Sequence, residues 1–530
     1  MPSAIEKFST TVDWINFAKL GQITASLLAI IALISLTFID KDNRFIDEGS
    51  KIVLSCFIVS FVIASYLSIA LSSVELQLFN IFHGIIFWPR IFQFAQYEEK
   101  VVFPLNFTVF EKLGIVADDL TSGDIYQGFL LYFLFYIAFA CSLLLPQIIR
   151  NRQYKVPNST NDKLALCCAT VFFIVSICLE ATVFGNPEYS PYNQTFESKN
   201  TLNAFYKISV VIFGTDTSLL ILTFFACKSL KKSSSKLLFV GILALCIFAT
   251  ILFIFTLALN GSRGPSFTVF MCTITFLIIM RPNIKQKYLL ISICFLSIAT
   301  SIWSSAVGDI SRAILKQGKN SSYTAQCLLF TECLDKKTVG RTVNADFIWS
   351  KLDRLAVTDY ALISLSSDPN PDCVSTRINL TRQLKHVANF LMIGTPYPEA
   401  LRSSANEFTQ CFIDFENPSQ AYNAEPWSAP GMLMTLFGHV GLLLVFIAGL
   451  FVCYMNRLLI SRSNMFSACY FALIMPSLGN GVFFLMGFDH LFNTFSVLFI
   501  RLFVFGLFVY VSQVILRLLL QLMTVSRANS

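Results

Sequence analysis

The chain has 530 residues, of which 55% are hydrophobic and only 13% charged. Soluble domains carry about 25% charged residues, so this composition excludes an ordinary soluble protein and makes lipid the main solvent. The formal charge of +7 is modest, and no basic tract with interleaved aromatics points to a nucleic-acid partner.

The N-terminal stretch MPSAIEKFSTTVDWINFAK lacks a cleavable-signal pattern, so the first apolar run is read as a retained helix. Apolar runs of the length that crosses a bilayer predict helices at 20–39, 52–73, 76–95, 125–148, 163–184, 205–227, 236–259, 264–280, 287–305, 431–454, 465–485 and 492–516. The expected fold is therefore an all-α integral membrane protein of about 12 transmembrane helices. The 76–95 run is interrupted by His83, Pro89 and Arg90, so a span and an interfacial or re-entrant helix both stay open. The side of the N-terminus depends on that choice.

Lys and Arg in short loops set orientation. Arg150, Arg152, Lys155 and Lys163 mark one cytoplasmic turn, and Lys228, Lys231, Lys232 and Lys236 mark another. Arg281, Lys285 and Lys287 mark a third, with Arg457 and Arg462 in a fourth. One alternation satisfies all four. It puts the 185–204 loop, the GSRGP turn at 261–265 and the long 306–430 segment on the outer face.

This gives three regions: a first part of the bundle (1–305, about nine helices), an extracytoplasmic loop (306–430) and a last part (431–530, about three helices). The loop is the one long polar part of the chain, and it reads as folded. ADFIWSKLDRLAVTDYALISL at 345–365 spaces Phe347, Ile348, Leu352, Leu355 and Tyr360 as an amphipathic helix. A second is expected at 376–394, with Leu380, Leu384, Val387 and Leu391 on its apolar stripe.

Of the 15 cysteines, eleven lie in or beside apolar runs, where a thiol acts as a small hydrophobe. Cys327, Cys333, Cys373 and Cys411 lie in the outer loop, and an even number there invites disulfides. Cys327–Cys333 would be a local bridge, and Cys373–Cys411 would tie down the second half.

The GSRGP turn holds Arg263 at headgroup depth, where a guanidinium suits a phosphate or pyrophosphate. An arginine that snorkels to ordinary lipid phosphate is the plainer reading of the same position. His386 is the one histidine of the loop and hence a candidate base, or simply an exposed side chain on its helix. Glu407 and Glu425 are weaker base candidates. Asp216 in FGTDTS falls mid-membrane within 205–227, where a carboxylate is costly and should face the bundle interior. Asp489 and His490 lie at the outer end of the last hairpin, as a polar cap or a cavity lining.

The span alternation, the SRG turn entering a span and the long outer loop together resemble the bacterial O-antigen polymerase (Wzy-type) and O-antigen ligase superfamily. EPWSAPG followed by LFGHVGLL, with Gly438 and Gly441 in an FGxxG pattern, carries the same resemblance. It covers roughly 236–455 by motif and the rest by architecture. It implies a GT-C-like bundle in the bacterial inner membrane, with the large loop in the periplasm. The implied activity is that of a metal-independent glycosyltransferase needing no cofactor. Such an enzyme joins undecaprenyl-pyrophosphate-linked oligosaccharide units into O-antigen-like surface polysaccharide, as part of lipopolysaccharide biosynthesis. A chain-length regulator protein would be a partner.

By position in the motif, Arg263 matches the SRG arginine that grips pyrophosphate; Arg402 and Arg312 are the next candidates, and His386 or Glu407 would serve as base. A ligase remains the near alternative. A metal-dependent GT-C enzyme is a rival, because Asp40, Lys41 and Asp42, or Asp118, Asp119 and Asp124, resemble outer-loop carboxylate groups. A lipid-linked-glycan transporter is the rival from another class, although no internal repeat supports it.

Overall fold

The computed structural model describes residues 17–38, 46–95, 122–149, 162–184, 212–232, 235–260, 264–279, 282–299, 357–366, 411–412, 427–460, 484 and 488–528. Every regular element among them is helical. In chain order they are α1 (Phe17–Thr37), α2 (Glu48–Ala70), α3 (Val74–Ala95), α4 (Ser122–Ile149), α5 (Asp162–Phe184), α6 (Thr215–Lys232), α7 (Lys236–Asn260) and α8 (Gly264–Ile279). Helix α9 runs from 284 to 299, and α10 (Val357–Ser366), α11 (Ala429–Phe437), α12 (Val440–Ile460) and α13 (Phe488–Ala528) follow. Among the described residues, 7 helices are long and apolar enough to cross a membrane: α1, α2, α4, α5, α7, α12 and α13. The chain is thus a multi-pass helical membrane protein. The expected 465–485 span lies outside the described residues except for Phe484.

Helix α1 shows how lipid selects sequence. It buries Gln22, Ala25, Ala29 and Ala32 and turns Leu20, Ile23, Leu27, Ile30, Ile31 and Ile34 outward. A water-soluble helix does the reverse. Small residues inward let backbones approach, and that contact drives association where lipid tails are as apolar as leucine. Its partner is α3: a Cβ on Gly84 would lie 2.8 Å from Ala25 Cβ and from Phe61 Cζ. That is closer than real atoms approach, so a glycine is required there.

The 76–95 run folds as the continuous helix α3, with Pro89 inside it. Nearly all of it is buried, including His83 and Arg90. It joins α2 through a tight turn in which Ser72 has φ 53° and the Ser73 N–H donates to Ser68 O at 2.9 Å. At its other end α2 is capped by Asp47, whose carboxylate accepts from the Ser50 N–H at 2.7 Å. A reciprocal capping box starts α9: Asn283 N donates to Gln286 Oε1 at 2.8 Å, and Gln286 N donates to Asn283 Oδ1 at 3.0 Å. Gln286 Nε2 also donates to Cys227 O at 2.6 Å, so this turn is fastened to the end of α6.

Two expectations from sequence are corrected. The single span at 431–454 is two helices, α11 and α12, parted by a turn at Gly438–His439. Gly438 takes φ +55° and donates its N–H to Met434 O at 2.8 Å; a left-handed residue closes a helix rather than continuing it. The 205–227 span is also interrupted. Phe213 and Gly214 are non-helical and α6 begins at Thr215, so Asp216 occupies a first turn rather than mid-helix.

The helices pack in two groups. In one, α1, α2 and α3 pack together, and α4 packs against α2 and α12. In the other, α6 packs against α5, α7 and α8, with α13 against α5. Helix α10, from the long polar segment, packs on α4, α11 and α3. Its residues Ala361, Leu362, Ile363, Ser364 and Leu365 are all buried. Of the amphipathic helix expected over 345–365, the described part is Val357–Ser366.

Candidate functional site

Charged side chains are rare inside membrane helices and mark functional sites by default. One such group sits where α5, α6 and α13 meet. Arg501, on α13, is 9% exposed. Its Nη1 lies 3.1 Å from Asp216 Oδ1 and also donates to Thr217 Oγ1.

The local backbone explains how the guanidinium reaches this place. Because Phe213 and Gly214 leave the helix, the first turn of α6 has N–H groups to satisfy. Asp216 Oδ1 accepts from the Thr217 N–H at 2.7 Å and from the Thr217 hydroxyl at 3.2 Å. Ser218 N donates to Gly214 O at 3.0 Å, closing the first helical bond. The Arg501 guanidinium lies directly against Gly214, where any Cβ would collide with Cζ and both Nη atoms. The glycine therefore makes room for the arginine.

Glu180, on α5, completes the group. Its carboxylate hydrogen-bonds with Thr215, and its charge neighbours are Asp216 and Arg501. Glu180 Oε2 is buried with no hydrogen-bond partner. The surrounding wall is aromatic: Phe172 stands 5.3 Å from Phe213 and 5.5 Å from Phe505, and Phe225 stands 5.9 Å from Phe505. One guanidinium thus pairs directly with Asp216 and has a second carboxyl group, Glu180, as a charge neighbour. Chemically the arrangement can hold a proton or another cation, or trade one ion pair for another.

A second polar region lies between α2, α3 and α4, and it is neutral in character. Tyr136 OH donates to Asn80 Oδ1 at 3.0 Å, and Asn80 Nδ2 donates to Ser65 Oγ at 3.2 Å. His83 Nε2 pairs with Tyr132 OH at 2.9 Å. Gln22 Nε2 donates to Gln77 O at 2.7 Å and Gln77 Nε2 to Ser68 O at 2.9 Å, which carries the ladder across to α1. Aromatic rings enclose it: Phe87 stacks on Tyr132 at 4.9 Å with 2° between planes, and Phe57 lies 4.8 Å from Tyr136. Interhelical hydrogen bonds of this kind hold membrane helices together. Among the described residues, no group of three or more His, Cys, Asp or Glu could hold a metal ion.

Of the residues singled out from sequence, Arg263, Arg312, Arg402, His386, Glu407, Glu425, Cys327, Cys333 and Cys373 lie outside the described residues. So do Asp40, Lys41, Asp42, Asp118 and Asp119. Cys411 is described, buried and disulfide-bonded. Ten other cysteines, among them Cys168, Cys227 and Cys246, are free thiols. Asp489 and His490 fall in the first turn of α13. Asp216 does face the bundle interior, as its cost in lipid requires.

Arg501 and Glu180 were not anticipated from sequence. The available signal was a single charge inside each apolar run, in LFIRLFVF and ICLEATVF. No family model, no curated protein and no solved structure matches the chain.

Proposed function

We propose that the protein is a membrane glycosyltransferase that polymerises undecaprenyl-pyrophosphate-linked oligosaccharide units into surface polysaccharide at the outer face of the bacterial inner membrane. The observation that carries this reading is the seating of α10. Chain from the long polar loop returns into the bundle beside Gly128 on α4 and Gly431 on α11, where an added Cβ would collide with the side chains of Ser366 and Ser364. The loop and the helices therefore share a core. A lid over a lipid-borne substrate needs that continuity, because its charged groups must be held in fixed positions to stabilise a leaving pyrophosphate. The SRG turn and the FGxxG turn support the same reading, and Gly438 of the latter supplies the helix break between α11 and α12.

In this reading Arg263, with Arg402 and Arg312, binds the pyrophosphate, and His386 or Glu407 takes the proton of the acceptor hydroxyl. Gel analysis of surface polysaccharide from a null strain tests it. Loss of polymer, with single repeat units still on the lipid core, is the expected result; loss of all attached glycan would make the protein a ligase. Arg263→Ala and Arg402→Ala should each abolish long chains while the protein still inserts. Normal chain length in both would remove the assigned site.

A transporter is the second reading, favoured by one observation. The interruption at Phe213–Gly214 beside an ionic group is the pattern of discontinuous helices that line substrate pathways. A null strain that accumulates no polymer inside or outside, and whose lipid-linked units stay on the cytoplasmic face, would favour it.

A further inference from the structure

We infer that Glu180 is a proton-binding site, and that one proton held between α5, α6 and α13 makes the Glu180–Asp216–Arg501 group electrically neutral. The inference does not rest on the polymerase reading.

Charge counting begins it. Arg501 supplies one positive charge, and its Nη1 is committed to Asp216 and Thr217. Asp216 is further fixed by two bonds from Thr217. A second ionised carboxylate at Glu180 would leave one negative charge in excess among Phe172, Phe213 and Phe505. An uncompensated charge in such surroundings is strongly unfavourable, and the group neutralises instead.

Geometry supplies the second step. Glu180 Oε2 is buried and accepts no hydrogen bond, whereas Asp216 Oδ1 takes three. An ionised carboxylate with an empty, water-excluded oxygen is the less stable of the two sites for the negative charge. The proton therefore belongs to Glu180 and the charge to Asp216.

Among the described residues, the remaining elements around α5 do not alter this count. Helix α7 packs against α5, and its charged residue Lys236 is exposed at that helix's first position. From α8, Cys272 neighbours Asp216 and is a buried free thiol. Helix α13 also brings Ser512, which hydrogen-bonds Cys168 on α5. A bound metal ion is a poorer fit, since among the described residues no set of three carboxylate, imidazole or thiol groups converges.

The proton acts as a latch. With it in place, Arg501 stays on Asp216 and against Gly214. Without it, two carboxylates compete for one guanidinium.

Infrared spectroscopy of the full chain in lipid nanodiscs at neutral pH tests this, with glutamate carrying a carbon-13 label. The wild type should display a protonated-carboxyl component, equal to one group per chain and moving on labelling, that is lost in the difference spectrum against Glu180→Gln. Asp216→Asn should abolish the same band, because Glu180 then becomes the partner of Arg501 and ionises. The inference is overturned if wild type and Glu180→Gln give identical bands. It is equally overturned if the band survives in Asp216→Asn. A band seen only when sodium is withheld would assign the site to a metal cation instead. Should Glu180→Gln fail to fold, the labelled wild type and Asp216→Asn still decide the matter.

Discussion

The two polar regions of this bundle handle the same problem by opposite means. Between α2, α3 and α4, amide, hydroxyl and imidazole groups satisfy one another as neutral partners, as in Tyr136 to Asn80 to Ser65. Between α5, α6 and α13, a guanidinium is set against two carboxyl groups, and the helix backbone is interrupted to admit it. Neutral pairs cost little to bury and are worth about 1 kcal/mol each in membranes. An ion pair has a steep desolvation cost, and its loss leaves a stranded charge. The first region therefore reads as glue, the second as a site kept for a purpose.

The sharpest way to break that contrast is to remove the cation. Arg501→Leu leaves Asp216 and Glu180 together in apolar surroundings, and stranding a buried charge costs about 3–5 kcal/mol. The expected result is a large drop in the thermal unfolding midpoint of detergent-solubilised protein, with poor recovery from the membrane. Adding Asp216→Asn to Arg501→Leu should restore much of the loss, because the stranded charge goes with it. Equal instability of the single and double variants would show that Arg501 matters for packing rather than for charge.

Next in size is the backbone gap that lets Arg501 in. Gly214→Ala places a methyl group where Cζ and both Nη atoms of Arg501 lie. Overpacking of this kind costs about 1–3 kcal/mol. Combined with Arg501→Leu the added cost should shrink, since the colliding group is gone. A double-mutant cycle on thermal stability measures this coupling, and strict additivity would remove the proposed contact.

The ease of reading these regions from sequence differed for the same physical reason. Helices α1, α2, α4, α5 and α7 were predicted within a few residues, because lipid demands about 20 apolar residues in a row. Interruptions were harder to see. FGHVG and FGTDTS carry Gly438 and Gly214, yet the apolar residues flanking them hid both breaks inside longer runs. Glu180 and Arg501 were lost in the same way, each a single charge averaged over a hydrophobic window. Their proximity depends on α5 packing against α13, between segments about 300 residues apart in the chain, which no local pattern encodes. The expected pyrophosphate arginines rest on short motifs in segments outside the described residues, so the fold does not bear on them. Cys411, in the 306–430 segment, is disulfide-bonded, and its expected partner Cys373 lies outside the described residues.

The smallest effect should come from the neutral region. Tyr136→Phe removes the hydroxyl that donates to Asn80 Oδ1, while Asn80 Nδ2 keeps its bond to Ser65 Oγ. The ring stays, so its contacts with Phe57 at 4.8 Å and Phe79 at 5.6 Å survive. One lost neutral hydrogen bond, with one acceptor left unsatisfied, costs about 1–3 kcal/mol at most and about 1 kcal/mol on average. Thermal unfolding of Tyr136→Phe should therefore fall well short of Arg501→Leu. A loss as large as that of Arg501→Leu would mean that Tyr136 and Asn80 anchor a longer cooperative network reaching His83 and Gln77. The neutral ladder would then be a second site under tension rather than glue, and His83→Phe, whose ring preserves the stacking on Phe87, would have to be costly too.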